Sequence, residues 1–160
     1  ESPLRGLEFV TRKITDGVGQ IVSGKKKFIE LGNLEVRRDW GFAGDYVEGM
    51  YLLMQYDVPE DWVLATGETH TVKEFLDIAF KTVNLNWEEY VKTSEKYFRP
   101  NEVDYLLGDS TKARTKLNWE PKVSFENLVK LMVDFDMKEA EREKVLIEKN
   151  LLKPTWENPI

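Results

Sequence analysis

Cysteine is absent from the 160 residues. That excludes disulfides, zinc–thiolate sites and a cysteine nucleophile. Histidine occurs once, at His70. A multi-histidine metal site cannot be built from it, and His70 beside a helix start reads as a surface residue. No apolar run approaches the ~20 residues of a membrane-spanning helix, so no membrane partner is expected. Basic residues are outnumbered, 23 Lys and Arg against 29 Asp and Glu, for a net charge of −6. General nucleic-acid binding needs a basic face, so no nucleic-acid partner is expected either. The chain opens Glu1-Ser2-Pro3 with no Met and no secretory signal pattern,. This start reads either as a processed or engineered beginning or, more sharply, as a cut from the middle of a longer protein, and the lack of Cys suits the cytoplasm.

What is present reads as a soluble globular domain. Val10, Ile14, Val18 and Ile21 recur at helical spacing, predicting an amphipathic helix over 9–22,. Residues 27–31 read as a short strand and 36–40 as a second extended piece. Asp45 is placed to cap a helix carrying Tyr46, Met50 and Leu53. The run 62–65 (Trp-Val-Leu-Ala) suits a strand buried on both faces,. Thr71 and Glu74 form a capping-box pattern ahead of Val72, Phe75, Leu76, Ala79 and Val83,. Asp109 can cap a short helix through Leu117. Ser124 can cap a longer one with Phe125, Leu128, Val129, Met132 and Phe135 inward. Helices alternate with three or four strands, so the fold class is α/β or α+β, and the sheet is thin for a self-contained domain.

The chain carries no catalytic set of its own. A dinucleotide site needs a Gly-rich turn between a strand and a helix, where backbone N–H groups meet pyrophosphate. The nearest match, Gly17-Val18-Gly19, lies inside the predicted first helix and follows no strand. The acids Glu88-Glu89 and those between Glu139 and Glu143 read as solvated helix faces.

Four segments are more specific. They are Glu1-Ser2-Pro3-Leu4-Arg5-Gly6 with Phe9-Val10-Thr11-Arg12-Lys13; Leu31-Gly32-Asn33-Leu34-Glu35-Val36-Arg37-Arg38-Asp39-Trp40-Gly41 with Asp45-Tyr46-Val47; Ala65-Thr66-Gly67-Glu68-Thr69-His70; and Tyr97-Phe98-Arg99-Pro100-Asn101-Glu102-Val103-Asp104 with Leu117-Asn118-Trp119. Together, over about residues 1–137, they resemble the GDP-mannose 4,6-dehydratases of the extended short-chain dehydrogenase/reductases. The resemblance implies an α/β C-terminal part: the end of a Rossmann-like sheet plus a small substrate-binding domain over 1–137, followed by a charged helix and tail over 138–160. It implies a lyase acting on GDP-mannose with bound NADP, which takes hydride from the sugar's C4 and returns it to C6 after water leaves. It also implies a homo-oligomer, dimer or tetramer. Catalytic groups of such enzymes lie before the point where this chain starts, and no Tyr here is followed four places on by Lys. This piece is therefore expected to be inactive alone. A related GDP-sugar reductase or epimerase, or a non-catalytic nucleotide-sugar binding module, stays open.

By the same resemblance, Val10, Lys13, Leu31, Gly32, Asn33, Arg38, Arg99 and Glu102 bind the substrate, and Arg5 contacts NADP. The chemistry suits those roles. A planar guanidinium can grip diphosphate with two parallel bonds, glycine lets backbone approach a base, and a carboxylate accepts from ribose hydroxyls. Read alone, Lys13 is a solvated helix lysine, Gly32-Asn33 a turn, the neighbouring Arg37 a surface ion-pair partner of Glu35 or Asp39, Arg99 with Glu102 one loop salt bridge, and Arg5 a loose terminal residue; of the two arginines, Arg38 is favoured as ligand. Leu4, Phe42 and Gly44 depart from the family pattern, which bears on the sugar and on oligomer contacts more than on the nucleotide.

Overall fold

A computed structural model describes residues 1–98 and 101–152. The first periodic segment forms α1 (Val10–Val22), with Ile14, Val18 and Ile21 buried. Residues 125–148 form one continuous helix, α5 (Phe125–Glu148), opened by Ser124, whose side chain accepts from the N–H of Asn127. Between them lies α3 (Val72–Thr82). Its N-terminus is closed by a capping box: Thr71 accepts from the Glu74 N–H at 3.0 Å while Glu74 accepts from the Thr71 N–H at 2.8 Å. Two otherwise orphaned donors are thus satisfied. α1, α3 and α5 pack their apolar faces into a single core, closed at one end by Trp40, which stacks on Phe125 at 6.0 Å and meets Phe75 edge-on at 5.6 Å.

Small residues let α1 approach its neighbours. A methyl added at Gly19 would stand 2.8 Å from the carbonyl oxygen of Asp136, and one at Gly17 would stand 2.5 Å from a methyl of Ile29. The Gly-Val-Gly stretch is therefore a helix-packing surface. Beside it a charge is buried. Asp136 is 3% exposed and receives three N–H bonds from Arg12, the shortest 2.7 Å, and the Thr15 hydroxyl at 2.6 Å.

Two small ladders complete the fold. β1 (Ile29–Leu31) runs parallel to β4 (Val91–Thr93), with Ile29 opposite Val91 and Leu31 opposite Thr93. β2 (Arg37–Arg38) is antiparallel to β3 (His70–Thr71), with Arg38 opposite His70. On its other side β2 meets residues 104–106: the Arg37 N–H donates to the Asp104 carbonyl at 2.7 Å and the Leu106 N–H to the Arg37 carbonyl at 3.1 Å. α2 (Ala43–Met54) and α4 (Thr111–Leu117) lie at the periphery.

Several expectations are corrected. Residues 62–65 are not a strand. Ala65 is buried, but Val63 is 51% exposed, and no strand pairs with this run among the described residues. Apolar composition sets which residues avoid water; a strand also needs a neighbour's backbone to bond. Asp45 does not cap α2. It sits in the first turn, 5% exposed, and its Oδ2 accepts from the backbone N–H groups of Lys122 and Val123, each at 3.0 Å. His70 is half-buried rather than fully exposed. Its ring lies flat on Phe125, centroids 3.8 Å apart, and Nε2 is buried. Phe135 is only half-buried, and its neighbour Asp136 faces inward instead. On α2, Val47, Met50, Tyr51 and Met54 share an exposed apolar face, Met54 at 81% exposure.

Candidate nucleotide-sugar site

Two of the predicted positions meet at one residue, Tyr97. Lys13, one turn into α1, places its ammonium 3.4 Å from the centroid of Tyr97, which closes the short 3₁₀ turn Glu95–Tyr97. Gly32 packs against the carbonyl of the same Tyr97, too close for any side chain to intervene. Glycine is required there because backbone meets backbone. The Leu31 carbonyl accepts from the Ser94 N–H at 2.8 Å, continuing the β1–β4 ladder into this turn. Lys96 adds a second ammonium 5.6 Å from the Tyr97 ring. An ammonium over a ring face gains about 0.5–2 kcal/mol, so Lys13 is held in place rather than waving in solvent.

The other predicted members of this end behave differently. Leu31 keeps its side chain in the core at 2% exposure. Val10 is half-buried against that core. Asn33 turns its Oδ1 onto the Glu35 N–H at 2.9 Å, which shapes the loop leading to β2.

The second cluster is built on Arg38. Its Nη2 donates to Glu102 in a short contact, and its Nη1 donates to the Val103 carbonyl at 2.6 Å and to the Arg37 carbonyl at 2.8 Å. The pair is half-buried, with side-chain exposures of 20% and 24%. Arg38 thus pairs with Glu102, and the ion pair expected of Arg37 with Glu35 or Asp39 is not formed: the carboxylate nearest Arg37 is that of Glu74, at 4.0 Å. Arg37 points elsewhere, donating to the Thr69 carbonyl at 2.9 Å. Arg99, the remaining predicted phosphate contact, lies outside the described residues. The chain from Tyr97 to Glu102 is five residues, so the two clusters are joined by at most about 18 Å of backbone.

Arg5 is exposed and ordered by local contacts. Its guanidinium lies 3.5 Å from the Phe9 centroid and 3.5 Å from a Glu1 carboxylate oxygen. Near β2, the phenol of Tyr46 is pushed up to about 12 by burial, with the carboxylates of Asp39 and Asp45 adding to it, so it stays protonated. A groove of about 620 Å³ between the N-terminal segment and α5 is lined by Arg12, Asp16, Gln20 and Asp136, among others, and by none of the predicted site residues. Among the described residues no group of three or more acids and histidines is placed to hold a metal ion. No described helix is long and apolar enough to cross a membrane.

Sequence reasoning missed Tyr97 as the meeting point of Lys13 and Gly32, and missed that Asp39 accepts from Thr66, Gly67 and Gly108. Tyr97 had a signal, an aromatic at the head of the Arg99-Pro100 segment. Asp39 had only its place beside Arg38.

The family model for GDP-mannose 4,6 dehydratase matches residues 1–132. The chain belongs to the GDP-mannose 4,6-dehydratase family. It is 57% identical over 148 residues to GDP-mannose 4,6 dehydratase 1 of Arabidopsis thaliana, covering 92% of this chain and 41% of that protein. Against the Homo sapiens GDP-mannose 4,6 dehydratase it is 47% identical over 154 residues, covering 86% of this chain and 41% of that protein. The chain therefore spans about two fifths of the length of these relatives. The solved structure of RMD from Pseudomonas aeruginosa complexed with NADPH superposes with a TM-score of 0.78 at 13% identity, over 86% of this chain and 46% of that one. That likeness bears on the fold alone, which is α/β. Within this family the Arg38–Glu102 pair and the Lys13–Tyr97–Gly32 corner lie on the matched residues.

Proposed function

We propose that this chain is the substrate-binding portion of a GDP-mannose 4,6-dehydratase, a lyase that converts GDP-mannose to GDP-4-keto-6-deoxymannose. Lys13 and Arg38 meet the diphosphate, Arg99 adds a further phosphate contact, Glu102 turns to the ribose hydroxyls, and Gly32-Asn33 lie along the guanine edge. Val10 and Leu31 complete the wall behind them. The observation that carries the reading is the half-buried Arg38–Glu102 pair, found in a chain of this family. A guanidinium has five N–H donors, and three contacts hold it here. It can keep its backbone contacts and still present donors to a phosphate, with charge-assisted bonds of about 1.5–3 kcal/mol each.

On this reading the named groups of this chain bind and orient the substrate. NADP is the cofactor of the proposed activity, but the described residues do not build a site for it. They include no strand–glycine turn–helix, and Gly17 and Gly19 are spent on helix packing. Arg5 supplies one exposed cation, partly neutralised by Glu1. On this reading the chain binds substrate, and it is expected to be inactive alone. The working enzyme on this reading is a homo-oligomer in the cytoplasm. Nothing in the fold or the comparisons favours the reductase, epimerase or non-catalytic readings.

The test is a thermal melt of the chain with excess GDP-mannose, with UDP-glucose as control. A ligand that binds only the folded state adds RT ln(1 + [L]/Kd), about 2.7 kcal/mol at a hundredfold excess over Kd. The midpoint should rise with GDP-mannose alone, and Arg38→Met should remove most of the rise. A cooperative melt indifferent to GDP-mannose would overturn the assignment.

A further inference from the structure

Three consecutive residues of the β2 region hold one and the same segment. Arg37 does so through its backbone, bonded to Asp104 and Leu106. Arg38 does so through its guanidinium, bonded to Glu102 and Val103. Asp39 completes the set: its Oδ2 accepts from the Gly108 N–H at 3.2 Å and from the Gly67 N–H at 3.0 Å, while Oδ1 accepts from the Thr66 N–H at 2.9 Å and the Thr66 hydroxyl at 2.5 Å. One carboxylate thus ties together two segments 27 and 69 residues away in sequence. The segment that carries Glu102 and Val103, the partners of Arg38, is anchored at its far end by Asp39.

We propose that Asp39 is a positioning residue for the nucleotide-sugar site: it locks the 102–108 segment and the 66–67 turn to β2, and through them it fixes the aim of the Arg38 guanidinium. The proposal rests on the substrate-binding reading given above and extends it to a residue that does not touch the ligand. Ionised carboxylate chemistry is what the position needs. All four donors converge on two oxygens, and an amide offers only one. Asp39→Asn places an NH₂ against either the Thr66 N–H or the Gly67 and Gly108 N–H groups; the Thr66 hydroxyl can turn to accept, but a backbone N–H cannot, so at least one of these bonds is lost,.

Two readouts on the 160-residue chain separate positioning from bulk stability. The first is the ¹⁵N spectrum of the Arg38 guanidinium, whose two Nη signals stay distinct only while the pairing with Glu102 and Val103 restrains rotation. The second is the affinity for GDP-mannose by titration calorimetry. Asp39→Asn should merge the Arg38 signals and weaken GDP-mannose binding about tenfold in the molecules that remain folded. Thr66→Val, which removes one donor and leaves the backbone intact, should act in the same direction by a smaller factor. A folded Asp39→Asn chain with wild-type Arg38 signals and wild-type affinity overturns the proposal. Should Asp39→Asn fail to fold, Thr66→Val decides: unchanged Arg38 signals there overturn it equally. If the unsubstituted chain takes up no GDP-mannose, the substrate reading fails, while the Arg38 signals still decide whether Asp39 sets the guanidinium.

Discussion

The α1–α5 interface can be tested through its buried charge. Asp136 is 3% exposed and Arg12 has a side-chain exposure of 14%. Three N–H bonds and the Thr15 hydroxyl satisfy the carboxylate. Asp136→Leu removes all four acceptor contacts and strands the guanidinium against the core. Breaking a buried pair by deleting one partner costs about 3–5 kcal/mol, because the remaining charge is left uncompensated. At about 2–4 °C per kcal/mol for a chain of this size, the thermal midpoint should fall by roughly 6–20 °C. Replacing both partners, Arg12→Met with Asp136→Leu, removes the stranded charge, so the double variant should lose less than the two single losses added together. Urea unfolding of the four proteins measures the cycle. A single-variant loss below about 1 kcal/mol, or strict additivity in the cycle, would refute the idea that this pair holds the two helices together.

Two further outcomes follow from local chemistry. Asp16 is raised from its ordinary value of 3.8, first by burial and then, in the same direction, by the charge of Asp136, while Gln20, Lys26 and Arg12 act against this. A carboxyl with a raised folded-state value favours the folded state when protonated, so its contribution is full below 3.8 and is lost as pH rises through the raised value. Asp16→Asn should therefore raise the midpoint at pH 7, and the advantage should vanish in melts below pH 3.8; an equal gain at both pH values would contradict the burial argument. Thr71→Ala removes one half of the α3 capping box and should cost about 1 kcal/mol in urea unfolding. An unchanged midpoint would mean that Glu74 and the β2–β3 pairing already hold the helix end.

Local order was legible in the residues. The period of Val10, Ile14, Val18 and Ile21 placed α1. Ser124 and the Thr71–Glu74 box placed the starts of α5 and α3, because capping is chemistry between residues three apart. Family membership was legible too, since motif order survives in the linear chain. The helix reading of Gly17-Val18-Gly19 held for the same reason: amphipathic spacing is local.

Tertiary contact decided the rest. That His70 lies on Phe125, that Asp136 rather than Phe135 faces inward, and that Asp45 caps a turn near Lys122 all depend on partners between 55 and 124 residues away. No local pattern encodes such partners, because a side chain's burial is set by what arrives to cover it. The same holds for the site. Sequence named Arg38 and Glu102 separately, with other partners for each. Only the fold brought them together, by laying the 102–108 segment along β2, where Asp39 can hold both it and the 66–67 turn with one carboxylate.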